Sequence, residues 1–98
     1  MLGKLIAQKR QEAGKTLNAL ASELNISPQY LLDIERGNRK PNRDYLLEMI
    51  ACVLHMSQDY VYYLAGKLPP DIREANASPD EVMAMFTSFR QLLRQRKV

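Results

Sequence analysis

With one cysteine and one histidine among 98 residues, this chain has little material for covalent or metal chemistry. Cys52 has no second cysteine to pair with, which excludes an intramolecular disulfide. His55 lies three residues further on, but no other histidine or cysteine completes a metal-ligand cluster. No Ser/His/Asp arrangement accompanies them either, so the chain is not expected to be an enzyme and no cofactor is expected. The bland reading is a buried Cys52 and a helix-end His55. No apolar run is long enough for a membrane span, and no signal-peptide pattern opens the sequence, so the cytoplasm is the expected compartment. Internal repeats and low-complexity tracts are missing too. Charge of one sign is not in strong excess: the formal net charge is +3 and the pI about 9.2. That alone does not separate a nucleic-acid binder from any other basic protein.

What is present is helical patterning. Hydrophobic residues make up 46% and charged residues 26%, which suits one small domain with an appendage. Residues 16 to 37, TLNALASELNISPQYLLDIERG, read as two short helices joined by a tight turn. Leu20, Ala21, Leu24, Ile26, Leu31 and Ile34 are spaced to meet in one core, and Ala21 is small enough to let the helices approach. Asn25 tolerates the left-handed conformation the turn demands. Ser27 followed by Pro28 restarts a helix, and Gly37 ends it. This is a helix-turn-helix.

Around it the pattern continues. Leu2 to Ala13 reads as a helix with Leu2, Leu5, Ile6 and Ala13 inward, ended by Gly14, and Thr16 caps the next. Gly37 to Pro41 is a loop, and the basic residues in it are Arg39 and Lys40. Asn42 or Arg43 opens a fourth helix with Leu46, Leu47, Ile50, Val53 and Leu54 on one face. Ser57 caps a fifth, with Tyr60, Val61 and Leu64 inward; Tyr62 and Tyr63 are given surface or dimer roles. Residues 67–77 read as a connector, because Pro69 and Pro70 are unsuited to a helix interior, with Leu68 and Ile72 as possible anchors. Ser78-Pro79-Asp80-Glu81 matches a capping box and opens a last helix, within the segment 78–98, that runs to about residue 96.

Residues 2 to 66 closely resemble the lambda-repressor-like, or xenobiotic-response-element, helix-turn-helix DNA-binding family. Arg10 with Gly14, Leu20-Ala21, Ile26-Ser27-Pro28 and Ile34-Glu35-Arg36-Gly37 running into Arg39-Lys40-Pro41 carry the resemblance. It implies an all-α fold: a five-helix DNA-binding domain over 1–66, followed here by the connector and one amphipathic C-terminal helix. It also implies a bacterial or phage origin. The helix 28–36 would then lie in the major groove of double-stranded DNA, its N-terminal residues toward base edges. Pro28, Gln29 and Tyr30 are the candidate base contacts, Gln29 because its amide matches adenine N6 and N7. Asp33 is a weaker candidate, since phosphates repel a carboxylate; pairing with Arg36 is the preferred reading. Phosphate contacts are expected from Asn38, Arg39, Lys40, Asn42 and Arg43, with Thr16, Asn18 and Ser27 at helix starts. Where the family carries a bracing Gln, this chain has Leu17. In similar proteins the positions of Arg10 and Glu35 form a partly buried ion pair, which is structural.

The last helix carries Val82, Met85, Phe86, Phe89, Leu92 and Leu93 at spacings of three and four. Their full burial would contribute on the order of 10 kcal/mol as an upper bound. Three readings stay open: folding back, pairing with a second copy, or docking another protein. Homodimerisation is favoured, because two recognition helices ~34 Å apart suit a palindrome. The functional expectation is a sequence-specific homodimeric repressor; the alternative is a protein-binding adaptor or antitoxin-like module with autoregulatory DNA binding. No small-molecule ligand is expected.

Overall fold

The structure is a computed structural model that describes residues 1–96. Lys97 and Val98, the last two positions of the expected segment 78–98, lie outside the described residues. Seven helices and no strand occur among the residues described. α1 (Leu2–Glu12) ends in a turn at Gly14, φ +69°. α2 (Leu17–Leu24) starts where the Thr16 hydroxyl accepts the Ala19 N–H, and it stops at Asn25, which takes φ 57°. Ile26 then donates its N–H to the Ala21 carbonyl at 3.0 Å, closing the turn. α3 (Pro28–Glu35) follows, with Ser27 accepting from Tyr30 N–H and Pro28 in the first turn, where a missing donor costs nothing. Gly37 at φ +80° ends it, and Asn38 N–H returns to the Asp33 carbonyl at 2.9 Å.

α4 (Asp44–Val53) and α5 (Gln58–Leu64) complete the helical unit. α1 packs on α3, α2 on both α3 and α4, and α4 on α5. Leu2, Ile6, Leu20, Ala21, Leu24, Leu31, Ile34, Leu47, Ile50 and Val61 are among the residues buried at their meeting point. Ile26 is half-buried at the edge of this core. Gly3 is the closest approach of α1 to α3: a Cβ there would stand 2.1 Å from the Ile34 carbonyl oxygen.

Several expectations fail at the level of single positions. Ala13 is exposed, because it lies past the last residue of α1. Cys52 is exposed rather than buried: the inner face of α4 runs through Leu47, Ile50, Ala51 and Leu54, a spacing of three and four that leaves Cys52 off the stripe. Val53 is only half-buried for the same reason. In α5 the core tyrosine is Tyr62, 1% exposed, while Tyr60 is 49% exposed. Tyr62 Oη donates to Glu48 Oε2 at 3.2 Å; burial, then that bond, pushes its phenol up to about 12. His55 does sit at a helix end, at φ 54°.

The connector also differs. Pro69 and Pro70 start a short helix, α6 (Pro70–Arg73), instead of preventing one. They occupy its cap and first position, where neither removes a needed donor. Leu68 and Ile72 stay exposed. Charge fastens this segment: Lys67 Nζ pairs with Asp44 Oδ1 at 2.8 Å, and Arg73 bonds the other oxygen, Asp44 Oδ2. Both cations hold the Asp44 carboxyl below its usual range, Lys67 foremost.

α7 (Pro79–Gln95) opens with the expected capping box, Ser78 and Glu81 bonding each other's N–H groups. Its apolar residues Met85, Phe86, Phe89, Leu92 and Leu93 are exposed and Val82 is half-buried. The radius of gyration is 16.2 Å and the longest extent 46 Å, against about 13 Å expected for a compact domain of ~100 residues. A 17-residue helix about 26 Å long accounts for the excess. No helix of the described residues is long and apolar enough to cross a membrane.

Candidate nucleic-acid interface

The start of α3 faces outward. Ser27, Pro28 and Gln29 are exposed, and Tyr30 is half-buried against the core. Gln29 Nε2 donates to Asp33 Oδ1, one turn further along the same face, at 3.1 Å. This is the partner of Asp33, in place of the expected Arg36. The physical reason is register: residues four apart stand one above the other on a helix, while Arg36 is already the C-cap.

The basic loop comes back to the same place. The Arg39 guanidinium lies 4.9 Å from the centre of the Tyr30 ring, within range of a cation–π contact. A groove of about 600 Å³ opens beside it, lined by Asn25, Ile26, Tyr30, Arg39, Lys40, Asn42, Arg43 and Tyr45 among others. Four of the five expected phosphate contacts of the loop therefore share one groove with a candidate base contact. Asn38 is exposed in the same loop but is not part of that lining. Thr16 and Asn18 are exposed at the start of α2 and also stand outside it, the Thr16 oxygen already holding the Ala19 N–H at 3.1 Å. Leu17 is packed against the core.

Arg10 and Glu35 turn away from this surface. Arg10 Nε and Nη2 donate to the two Glu35 oxygens at 2.8 and 3.1 Å, and Nη1 donates to the Lys15 carbonyl at 3.0 Å. The two side chains are 15% and 6% exposed. The bond to Glu35 raises the Arg10 pKa further, against the cost of burial. The pair ties α1 to the end of α3 and so fixes the helix that carries Gln29 and Tyr30.

Sequence reasoning missed Gly3, Tyr45 and the Asp44–Lys67–Arg73 cluster. Gly3 carries no signal until α3 is laid across it. Tyr45 stands beside Leu46 on α4, and the groove it lines is formed by segments distant in sequence.

Set against known proteins, residues 6–52 match the family model described as Helix-turn-helix. The chain belongs to the Cro/C1-type, lambda-repressor-like helix-turn-helix family. An uncharacterized HTH-type transcriptional regulator of Mycobacterium tuberculosis is 38% identical over 68 residues, 69% of this chain and 48% of that protein. The HTH-type transcriptional regulator ImmR of Bacillus subtilis is 38% identical over 60 residues, covering 61% of this chain and 46% of its own length. The chain thus spans about half the length of the curated relatives it matches. Among solved structures, SinR, the master regulator for biofilm formation, in complex with DNA, is 33% identical. That likeness covers 62% of this chain and 97% of the solved chain, with a TM-score of 0.56. The SinR–SinI complex shares the fold over 98% of this chain and 100% of its own, at 23% identity and a TM-score of 0.58.

Proposed function

We propose that this protein is a sequence-specific regulator of transcription that binds double-stranded DNA as a homodimer and represses by occupying a palindromic operator. In this reading residues 1–66 are the DNA-binding unit, 67–77 the connector and 78–98 the dimerisation element, working in the bacterial cytoplasm. The observation that carries it is the joining of two chemistries at one surface. An exposed amide and a half-buried phenol at the start of α3 suit base edges. Arg39, stacked on Tyr30, and Lys40 and Arg43 in the same groove suit phosphates, and they set the register without reading sequence.

The relatives support the regulatory part: they are HTH-type transcriptional regulators, and SinR was solved on DNA. Dimerisation is supported by α7, whose Phe86, Phe89 and Leu92 are exposed along one stripe. A second copy running antiparallel would also set Asp80 and Glu81 of the first turn against Arg94 of the last.

Equilibrium sedimentation of the full chain and of Phe89→Asp, followed by titration of each with an operator duplex, tests this. The wild type should be a dimer, and the variant a monomer that binds the same duplex at least about tenfold more weakly, because avidity is lost. A wild type that sediments as a monomer yet binds with the variant's affinity contradicts the dimer.

A second reading rests on the same exposed stripe: α7 docks a different protein, and DNA binding is autoregulatory. The SinR–SinI complex is itself an assembly of two proteins. A monomeric wild type that elutes in fixed 1:1 ratio with one co-expressed partner would favour this reading over the first.

A further inference from the structure

Asp33 raises a question the base-contact reading leaves open. A carboxylate on the face turned to DNA is repelled by phosphates, and among the described residues no cation pairs with it: its bonded partner is the Gln29 amide. We propose that Asp33 is a positioning residue that fixes which hydrogen-bonding pattern Gln29 shows to DNA, and so makes Gln29 selective for adenine over guanine. The inference rests on the proposed reading of Gln29 as a base contact.

The chemistry follows from counting donors. A glutamine amide has two N–H donors on Nε2 and an accepting Oε1. Unrestrained, it rotates to offer either one donor with one acceptor, or its NH2 alone. The first pattern matches adenine, which donates from N6 and accepts at N7. The second suits guanine, whose O6 and N7 both accept. Asp33 Oδ1 takes one Nε2 proton at 3.1 Å. What remains at the outer edge is one N–H beside Oε1, the adenine pattern. Turning the amide over would face Oε1 toward the carboxylate, oxygen against oxygen, so the flipped state is disfavoured. In water such a pair contributes only a few tenths of a kcal/mol, but in a groove from which water is excluded the same bond strengthens.

Position 17 gives a reason for the arrangement. Leu17, at the start of the neighbouring α2, is packed against the core and cannot bond an amide. The bond that holds the Gln29 amide comes from within α3.

The test is selection from one randomised duplex pool by four full-length proteins: wild type, Gln29→Ala, Asp33→Ala and Asp33→Asn. Alanine is a good helix former and Asp33 is not buried, so all four should fold, which circular dichroism verifies. The wild type should enrich a motif with an adenine position favoured about tenfold or more over guanine, and Gln29→Ala should flatten that position alone. Asp33→Ala should turn it into a mixed purine, adenine favoured less than about threefold, while raising affinity for unrelated duplexes as a repulsive charge is lost. Asp33→Asn offers Gln29 either an accepting oxygen or a donating NH2, so it bonds both orientations of the amide and should relax the adenine preference as Asp33→Ala does, with the same gain in general affinity. A position flattened by Gln29→Ala yet unchanged by Asp33→Ala overturns the role of Asp33 and leaves Gln29 standing. An adenine preference fully retained in Asp33→Asn also overturns it, since a side chain that both donates and accepts does not fix the amide's orientation. No enriched motif, or one that Gln29→Ala leaves unaltered, overturns the reading of Gln29 and this inference with it.

Discussion

Arg10 and Gly3 hold the geometry of the proposed DNA-facing surface without belonging to it, and Asp44 holds the connector. Removing Arg10 leaves Glu35, 6% exposed, as a charge with neither water nor partner. Arg10→Ala should therefore cost about 3 kcal/mol of stability, read as a lowered urea midpoint. Lysine should restore only part of it, because it lacks the two-pronged fork that meets both carboxylate oxygens. Gly3→Ala forces a Cβ against a backbone carbonyl that has no rotamer to move. A loss of about 1–3 kcal/mol is expected, with α1 displaced from α3, and a variant as stable as wild type would contradict the close approach. Asp44 adds a pH dependence. Its pKa is lowered in the folded chain by Lys67 and Arg73, so its contribution is present above the ordinary carboxylate range. It is lost as pH falls below about 4 through the lowered value. Amide exchange in residues 67–77 should speed up over that range, and Asp44→Asn should abolish the change.

At the scale of elements, the proposed function makes α3 the reading helix and the loop after it the phosphate clamp. Arg39→Ala should weaken binding to all duplexes alike and reduce the slope of log K against log salt by about one. A base-specific loss from this variant would put Arg39 among the reading residues instead. For α7, reversing Arg94 to glutamate should weaken a dimer of antiparallel helices, and adding Asp80→Lys, which leaves the Ser78–Glu81 capping box in place, should restore it. Dissociation constants from sedimentation check this, and failure of this second substitution to rescue would argue for a parallel arrangement.

These elements were legible in the sequence because their ends are written in local chemistry. Thr16, Asn25, Ser27, Gly37, Ser57 and Ser78 act through neighbours a few residues away, and each stands where its residue type implied. What was hidden depends on distant partners. The choice of Tyr62 over Tyr60 is made by α4, whose Asp44 carbonyl and Glu48 carboxylate accept from the Tyr62 hydroxyl. The close approach at Gly3 is made by α3, and the fastening of the connector by Asp44, about 25 residues before it. The candidate site followed the same division. Its residue types were visible one by one, while the Arg39–Tyr30 stacking and the Gln29–Asp33 bond needed coordinates.

On the scale of the whole molecule, a small helical unit carries the proposed reading surface and is followed by a helix whose apolar residues are exposed. A single helix-turn-helix buries little area on DNA, and two on one frame gain both affinity and symmetry. The measurement that tests this most directly is the mass of the complex formed on the duplex enriched by selection, taken together with the symmetry of that duplex. Two chains per duplex, on a two-fold symmetric site with half-sites about one helical turn apart, ~34 Å, is the predicted result. One chain on a site without symmetry would contradict it.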